Sequence, residues 1–360
     1  MHKNPVKFRF IIGSRTCATK QIAKKLVQIL KLISRILKRY CNKVRFYTGI
    51  ERYWIVDNNE VVLDSMESIN KKASARNIET YDFSTLYTKI PLQDLKDKLK
   101  RTVEKAFKGG NNQYIRVTKE DARWHHCKRD DTFSKEDIFK MIDIIVDNSF
   151  FRFGNRVFRQ SIGIPMGIDP APQMANLYHH YYESTFMVTL TKENFGMAKK
   201  FNNTRRYIDD LVTLNNDGHL QANVRRIYPE ELKLNKENEN NKVATFLDIE
   251  ASIQDGRFHT KTYDKREAFE IVNYPDLSGN IPAQPAYGVY TSQIIRYAKI
   301  CSHTEDLVNR IMQLPKKLVG KGFTREKLKI TLRNCLKKHR WIASKHQIDH
   351  RLSDGWLFGQ

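Results

Sequence analysis

Asp209 and Asp210 stand side by side in Tyr207-Ile208-Asp209-Asp210, between Arg205-Arg206 and the apolar run Leu211-Val212-Thr213-Leu214. A carboxylate pair among strand-forming residues makes a poor core, because buried charge is costly unless it is paired or metal-bound. Alone, the pair reads equally well as a solvated turn. A third carboxylate tips the balance: Asp82 ends a short apolar strand in Tyr81-Asp82-Phe83-Ser84-Thr85-Leu86-Tyr87, 127 positions before Asp209. An Asp closing a strand and an Asp pair on a hairpin tip form the ligand set for two divalent cations roughly 3.5–4 Å apart. Such a pair stabilises the charge that builds on the attacking oxygen, the phosphorus centre and the leaving pyrophosphate during nucleotidyl transfer. Mg²⁺ suits this work because it binds a few carboxylate oxygens and leaves room for water and substrate phosphates; Mn²⁺ is the expected substitute. Asp82 and Asp209 are the expected bridging ligands. Asp210, facing another way on the same turn, is expected to support them.

The elements around these residues must hold them in place. The pattern predicts a strand over 78–83, a turn at Ile90-Pro91 and a helix from Leu92 to Phe107, then a loop at Gly109-Gly110-Asn111-Asn112. Ser134 with Asp137 three residues on opens a helix over 134–147. Phe150–Phe158 is a hairpin around Gly154-Asn155. The loop Gln160–Gly167 leads into a helix over 171–186, and the Asp pair lies between two strands. A second hairpin is expected from strands 245–253 and 257–263, turning at Asp255-Gly256. Helices follow from Thr291 on. Near the start, residues 3–12 read as a strand, and residues 18–40 as an amphipathic helix with Ile22, Leu26, Ile29, Leu30, Ile33 and Leu37 on one face. Packing explains that stripe better than lying on a membrane surface. Residues 44–80 read as irregular, with a helix around 65–75. The order predicts an α+β palm with an antiparallel sheet backed by helices.

The chain has 360 residues, 40% of them apolar, with 19 Phe and 16 Tyr, so it folds around a large core. Its net charge of +23 favours a polyanionic partner, and nucleic acid is the commonest. No 18-residue apolar run is present to span a bilayer, and residues 1–20 lack the apolar stretch of a signal peptide. Five scattered cysteines without a CxxC pattern point to free thiols in a reducing compartment. Basic charge is densest from Lys316 to Arg351, with 12 Lys or Arg against Glu326 and Asp349.

The string Asp82-Phe83-Ser84-Thr85-Leu86-Tyr87-Thr88-Lys89-Ile90-Pro91 resembles motif A of the reverse transcriptases of Penelope-like retroelements, the nearest kin of telomerase reverse transcriptase. Gln160-x-x-Gly163-x-x-Met166-Gly167, followed by Ala171-Pro172 and Ala175-Asn176-Leu177, resembles their motif B, and Tyr207–Asp210 their motif C. Phe246-Leu247-Asp248 with the hairpin to Tyr263-Asp264-Lys265 resembles their late palm motifs. Lys3-Asn4-Pro5 with Arg9-Phe10-Ile11 resembles the early fingers motifs. The likeness spans about residues 3–300.

The resemblance implies a right-hand polymerase: fingers at 1–77, palm at 78–91, fingers and palm helices with a hairpin at 92–158, palm at 159–280, and a basic helical thumb and tail at 281–360. It implies an RNA-directed DNA polymerase with two Mg²⁺ ions on Asp82, Asp209 and Asp210, adding dNTPs to a DNA or RNA primer on an RNA template and gripping the RNA–DNA hybrid. Tyr87 would lie under the sugar of the incoming nucleotide and exclude a 2′-hydroxyl. Arg9 would reach the triphosphate. Phe83, Gly163 and Gly167 would line the nucleotide site, the glycines allowing close approach. Lys233 or Lys236 would neutralise or protonate the pyrophosphate. Gln160, Pro165, Tyr207, Lys261 and Lys265 would contact template or primer, although Gln160 reads equally as a structural amide. The thumb would grip phosphates without reading sequence.

Some features depart from the pattern. Where motif B usually continues into serine and proline, this chain has Gly167-Ile168-Asp169-Pro170, with an acid near the metals. No GIY-YIG endonuclease follows the thumb, so nicking of target DNA is not expected. Two histidine groups, His125-His126-Cys127 and Cys335 with His339, His346 and His350, lack the paired spacing of a zinc site. The family and the basic charge imply a nuclear protein. The alternative is a catalytically idle, domesticated reverse-transcriptase fold that binds RNA or DNA.

Overall fold

The computed structural model describes residues 13–84, 86–108, 113–265 and 274–348. Arg9, the early fingers strand, the loop at 109–112 and His350 lie outside these residues. The chain divides into two compact units: residues 1–57 with 79–237, and residues 58–78 with 238–360.

The first unit opens with helix α1 (Lys20–Thr48), longer than the 18–40 expected from its stripe. Ala23, Leu26, Ile29, Leu30, Ile33 and Leu37 recur at three- and four-residue spacing and are buried along one face. The helix stops at Gly49, whose φ of 70° lets its N–H reach the Arg45 carbonyl at 2.7 Å. Helix α2 (Glu60–Asn70), earlier than the 65–75 expected, belongs to the second unit. Strand β1 (Ile78–Phe83) and the short helix α3 (Leu86–Lys89) carry the first acidic motif. Pro91 then launches α4 (Leu92–Phe107) with extended backbone angles.

A small sheet, unforeseen from the pattern, follows: β2 (Tyr114–Val117), β3 (Ala122–His125) and β4 (Thr132–Phe133), in the order β3-β2-β4. Helix α5 (Lys135–Asp147) has the expected capping box, with Ser134 and Asp137 satisfying each other's backbone N–H. The hairpin of β5 (Phe150–Phe153) and β6 (Arg156–Arg159) turns at Gly154-Asn155 as the sequence indicates.

Helix α6 (Ala171–Glu193) is the axis of this unit and runs about two turns beyond the expected end. Its buried residues include Met174, Leu177, His179, His180, Glu183 and Met187, so it is enclosed on several sides. The short α7 (Phe195–Lys199) leads to β7 (Thr204–Tyr207) and β8 (Asp210–Leu214). After α8 (His219–Ile227), β9 (Leu234–Lys236) completes a four-stranded sheet in the order β7-β8-β1-β9. One apolar core joins this sheet to α1, α4, α5 and α6.

In the second unit β10 (Val243–Phe246), β11 (Ile249–Gln254) and β12 (Arg257–Thr262) form an antiparallel meander. The continuous strand expected over 245–253 is broken by a tight turn at Leu247-Asp248, where Leu247 adopts a φ of 56°. Helices α9 (Ala283–Ile300), α10 (Thr304–Val319), α11 (Arg325–Lys338) and α12 (Arg340–His346) pack around a second core that includes Tyr290, Ile294, Ile311, Leu318 and Leu332. Cys335 and His346 are buried there, and His346 Nε2 lies 2.9 Å from the Ala298 carbonyl, so packing accounts for both. Among the described residues no helix is long and apolar enough to cross a membrane.

Candidate active site

The central sheet has two faces, and the helix behind it decides which is which. Phe83 packs its ring 4.6 Å from His179 of α6, and Arg206 pairs with Glu183 of the same helix. Residues 83 and 206 therefore face α6. Strand alternation turns Asp82 and Tyr207 to the opposite face. Asp210 is the cross-strand partner of Tyr207 and shares its face. Asp209 lies in the two-residue turn between them, and its carbonyl accepts the Phe83 N–H at 3.1 Å. Two acidic segments 127 positions apart thus meet on neighbouring strands. Asp82, Asp209 and Asp210 are all half-buried.

The turn is strained. Ile208 has a φ of 54°, at the first turn position, where two-residue hairpins with one positive φ normally place glycine. For a β-branched residue this is a genuine outlier, of order 1–3 kcal/mol. Sequence reasoning missed what holds it. Arg206, fully buried, spends all five guanidinium N–H groups: Nε and one Nη on the Glu183 carboxylate, and the rest on Asn176 Oδ1 (2.9 Å), the Asn176 carbonyl (3.2 Å) and the Ile208 carbonyl (3.0 Å). Tyr228 adds its hydroxyl to Glu183 at 2.9 Å. Burial opposes the Arg206 charge, yet Glu183 outweighs it and holds the guanidinium above its ordinary pKa. One arginine therefore clamps the acidic turn to α6. The signal was present in part: Asn176 and Glu183 are seven residues apart, on one helical face.

The Gln160–Gly167 loop meets the Tyr87–Ile90 segment through backbone. Gly163 N–H donates to the Ile90 carbonyl (2.7 Å), and Ile164 N–H to the Tyr87 carbonyl (3.0 Å). Gly163 has a φ of 82°, and a Cβ there would fall 2.2 Å from the Tyr87 oxygen. This glycine is thus required by the contact with Tyr87 itself. Gly167, at φ 109°, is exposed, and its carbonyl accepts the Ser14 hydroxyl at 2.8 Å. The Tyr87 ring is half-buried, and its hydroxyl is pushed up to about 12 by burial and then by the Asp209 charge.

Several expected contacts take other roles. Phe83 is 3% exposed, its ring between His179 and Tyr228 and its N–H on Asp209, so it is a core residue and not a nucleotide contact. Tyr81 and Lys236 are cross-strand partners, as are Asp82 and Asn235. Lys236 therefore points away from the Asp82 face, where it pairs with the buried Glu79 at 3.1 Å. Lys233, two residues before Asn235, shares the Asp82 face. Gln160 donates its amide to the Ile162 carbonyl (2.9 Å), the structural role left open by its type. Pro165 is buried, so its ring is not exposed to a template. Tyr207 is half-buried on the Asp82 face. Asp169 is held by Lys20 of α1, with Nζ 2.9 Å from Oδ1, so α1 neutralises this acid. In the second unit Lys261 pairs with Glu250 at 2.9 Å, and Lys265 is exposed just past β12. Among the described residues no three His, Cys, Asp or Glu side chains are gathered into a ready-made metal cage.

No family model matches the chain, and no curated protein does. Among solved structures it is similar to telomerase from Candida albicans in complex with a TWJ fragment of telomeric RNA, with a TM-score of 0.53 and 13% identity over 89% of this chain and 48% of that one. Apo telomerase from Candida tropicalis gives a TM-score of 0.46 and 12% identity over 91% of this chain and 52% of that one. The same enzyme with a TWJ fragment gives 0.48 and 12% over 95% and 56%. The chain spans about half the length of these telomerases. Likeness at 13% identity concerns fold alone, and the mixed helix and antiparallel sheet described above is a telomerase-reverse-transcriptase-like fold.

Proposed function

We propose that the chain is an RNA-directed DNA polymerase of the Penelope-like type, adding dNTPs to a primer 3′ end on an RNA template. The observation that carries this reading is the meeting of Asp82 with the Asp209-Asp210 turn on adjacent strands, fixed by the Phe83 to Asp209 backbone bond of 3.1 Å. Asp82, Asp209 and Asp210 would hold two Mg²⁺ ions. The donor set fits: it is all carboxylate, and an open arrangement suits Mg²⁺, which takes one or two carboxylates and completes its shell with water and phosphates. Bound there, the ions would supply charge stabilisation for phosphoryl transfer. The residues around them bind and orient. Tyr87, anchored through its carbonyl to the motif B loop, would exclude a 2′-hydroxyl; Lys233, on the Asp82 face, would meet a leaving pyrophosphate. In this reading residues 1–77 are fingers, 78–91 and 159–280 are palm, the helices from Ala283 form the thumb, Arg9 serves the triphosphate, and Lys261 and Lys265 serve template or primer. The nucleus is the proposed location.

Primer extension tests the proposal. The purified chain should extend a primer on RNA with dNTPs and Mg²⁺ or Mn²⁺, and Asp209→Asn should abolish extension while oligonucleotide affinity stays within about twofold. Tyr87→Ala should raise rNTP incorporation relative to dNTP. Binding without extension under any metal would instead establish an idle, nucleic-acid-binding relative. Extension by Asp209→Asn would end the site assignment.

A further inference from the structure

The hairpin β5–β6 is used by nothing described so far, and its surface is unusual. It is a two-stranded sheet by itself, a form marginal in water without a packed face. Yet Phe150, Phe153, Val157 and Phe158 are 54%, 68%, 69% and 41% exposed. Exposed apolar groups so closely set mark an interaction site. The register puts Phe151, Phe153, Phe158 and Arg156 on one face, and Phe150, Arg152, Val157 and Arg159 on the other. Phe151 and Phe158 are already stacked at 5.5 Å and 20°. Arg152 and Arg159 each fix Nε on a backbone carbonyl, of Gly154 (2.9 Å) and Asp147 (3.0 Å), which orients their guanidinium planes. From Asn148 to Ile168 there is no acidic residue.

Rings interleaved with oriented cations, without a carboxylate among them, match a strand of unpaired bases on a phosphate backbone better than a protein surface or a membrane. Stacking serves any base, and arginine serves any phosphate. A cleft of about 940 Å³ runs from these rings along Gln160–Met166 to Tyr87 and Thr88. That is at the upper end of the range for ligand clefts, roughly 300–1,000 Å³. We propose that β5–β6 is a stacking platform for single-stranded nucleic acid, holding the uncopied template strand on its way to the cleft at Tyr87. Which strand it holds rests on the polymerase reading; that it binds unpaired bases does not.

The test uses the full chain and a fluorescein-labelled 20-nucleotide oligo-U, read by anisotropy against a blunt RNA–DNA duplex. Phe153→Ala with Phe158→Ala should weaken oligo-U binding at least tenfold and duplex binding less than twofold. Arg156→Ala, with all rings retained, should lower the salt dependence of oligo-U binding by about one phosphate contact. Ultraviolet crosslinking of wild-type chain to 4-thiouridine oligo-U should label the peptide 148–160, which keeps the test independent of how the variants fold. Unchanged oligo-U affinity in correctly folded variants, or crosslinks wholly elsewhere, would overturn the proposal. So would an unchanged affinity with loss of a dimer in sedimentation, which would make the hairpin a contact between copies. A wild-type chain that binds oligo-U through the hairpin but never extends a primer would uphold this inference and defeat the polymerase reading.

Discussion

Two adjacent histidines, His179 and His180, lie fully buried in α6 behind the acidic strands, and they make stability fall in mild acid. His179 is held well below its ordinary pKa by burial and then by the Arg206 charge; its Nδ1 lies 2.8 Å from the Ala175 carbonyl and its ring packs against Phe83. His180, 5.0 Å from the Tyr53 ring, is pushed down to about 3 by burial and then by Arg206. Both are neutral in the folded chain at pH 5.5, while in the unfolded chain each has a pKa near 6.5. The unfolded state therefore binds more protons, and stability must rise with pH across this window. The contribution is complete above pH 6.5 and is lost as pH falls from there towards the folded values. Between pH 7.5 and 5.5 the unfolded state gains about RT ln 10, or roughly 1.4 kcal/mol, per histidine. The figure depends only on the folded values lying well below 5.5. The pair should cost about 3 kcal/mol. Denaturant unfolding at the two pH values measures it. His179→Gln with His180→Gln should flatten the difference by that amount, whatever the variant's absolute stability. A pH response changed by less than about 0.5 kcal/mol would show that these rings are not held neutral, and the packing of α6 on Phe83 would need redrawing.

Replacing Arg206 by Met leaves Glu183 buried and unpaired and should cost about 3–5 kcal/mol in denaturant unfolding; a loss under about 1 kcal/mol would mean the clamp on the Ile208 turn is not structural. Gly163→Ala forces a Cβ at positive φ against the Tyr87 carbonyl and should cost about 1–3 kcal/mol. In extension assays it should also relax sugar discrimination, and wild-type behaviour on both counts would refute the contact. Under the polymerase reading, Lys233→Ala should slow extension at least tenfold, whereas Lys236→Ala should chiefly lower the melting temperature by stranding Glu79; the reverse pattern would show that the β1–β9 register is wrong. Asp169→Asn should lose only the pair to Lys20, worth up to roughly 1 kcal/mol, with extension unchanged.

Much was legible locally because its causes are local. Periodicity and Pro91 were enough to define α4 to the residue, Ser134 with Asp137 defined the start of α5, and Gly154-Asn155 defined the β5–β6 turn, since capping and turn chemistry act within four residues. The sheet β3-β2-β4 and the break at Leu247 escaped notice. Strands of two to four residues carry little periodic signal, and a positive φ at leucine runs against its type.

Residue type and order alone determined that Asp82 and Asp209-Asp210 are carboxylates on strand ends, and that the chain is basic enough to seek a polyanion. Only tertiary structure decided which face each side chain takes. Phe83 went to the core, Lys236 to Glu79 and Lys233 to the Asp82 side because strand pairing fixes parity across chains distant in sequence. Likewise Arg206 looked like one more cation among 63 lysines and arginines, until burial against Glu183, Asn176 and the Ile208 carbonyl made it the clamp of the acidic turn. Such a role depends on which groups surround a charge once water has gone, and that is a property of the folded chain.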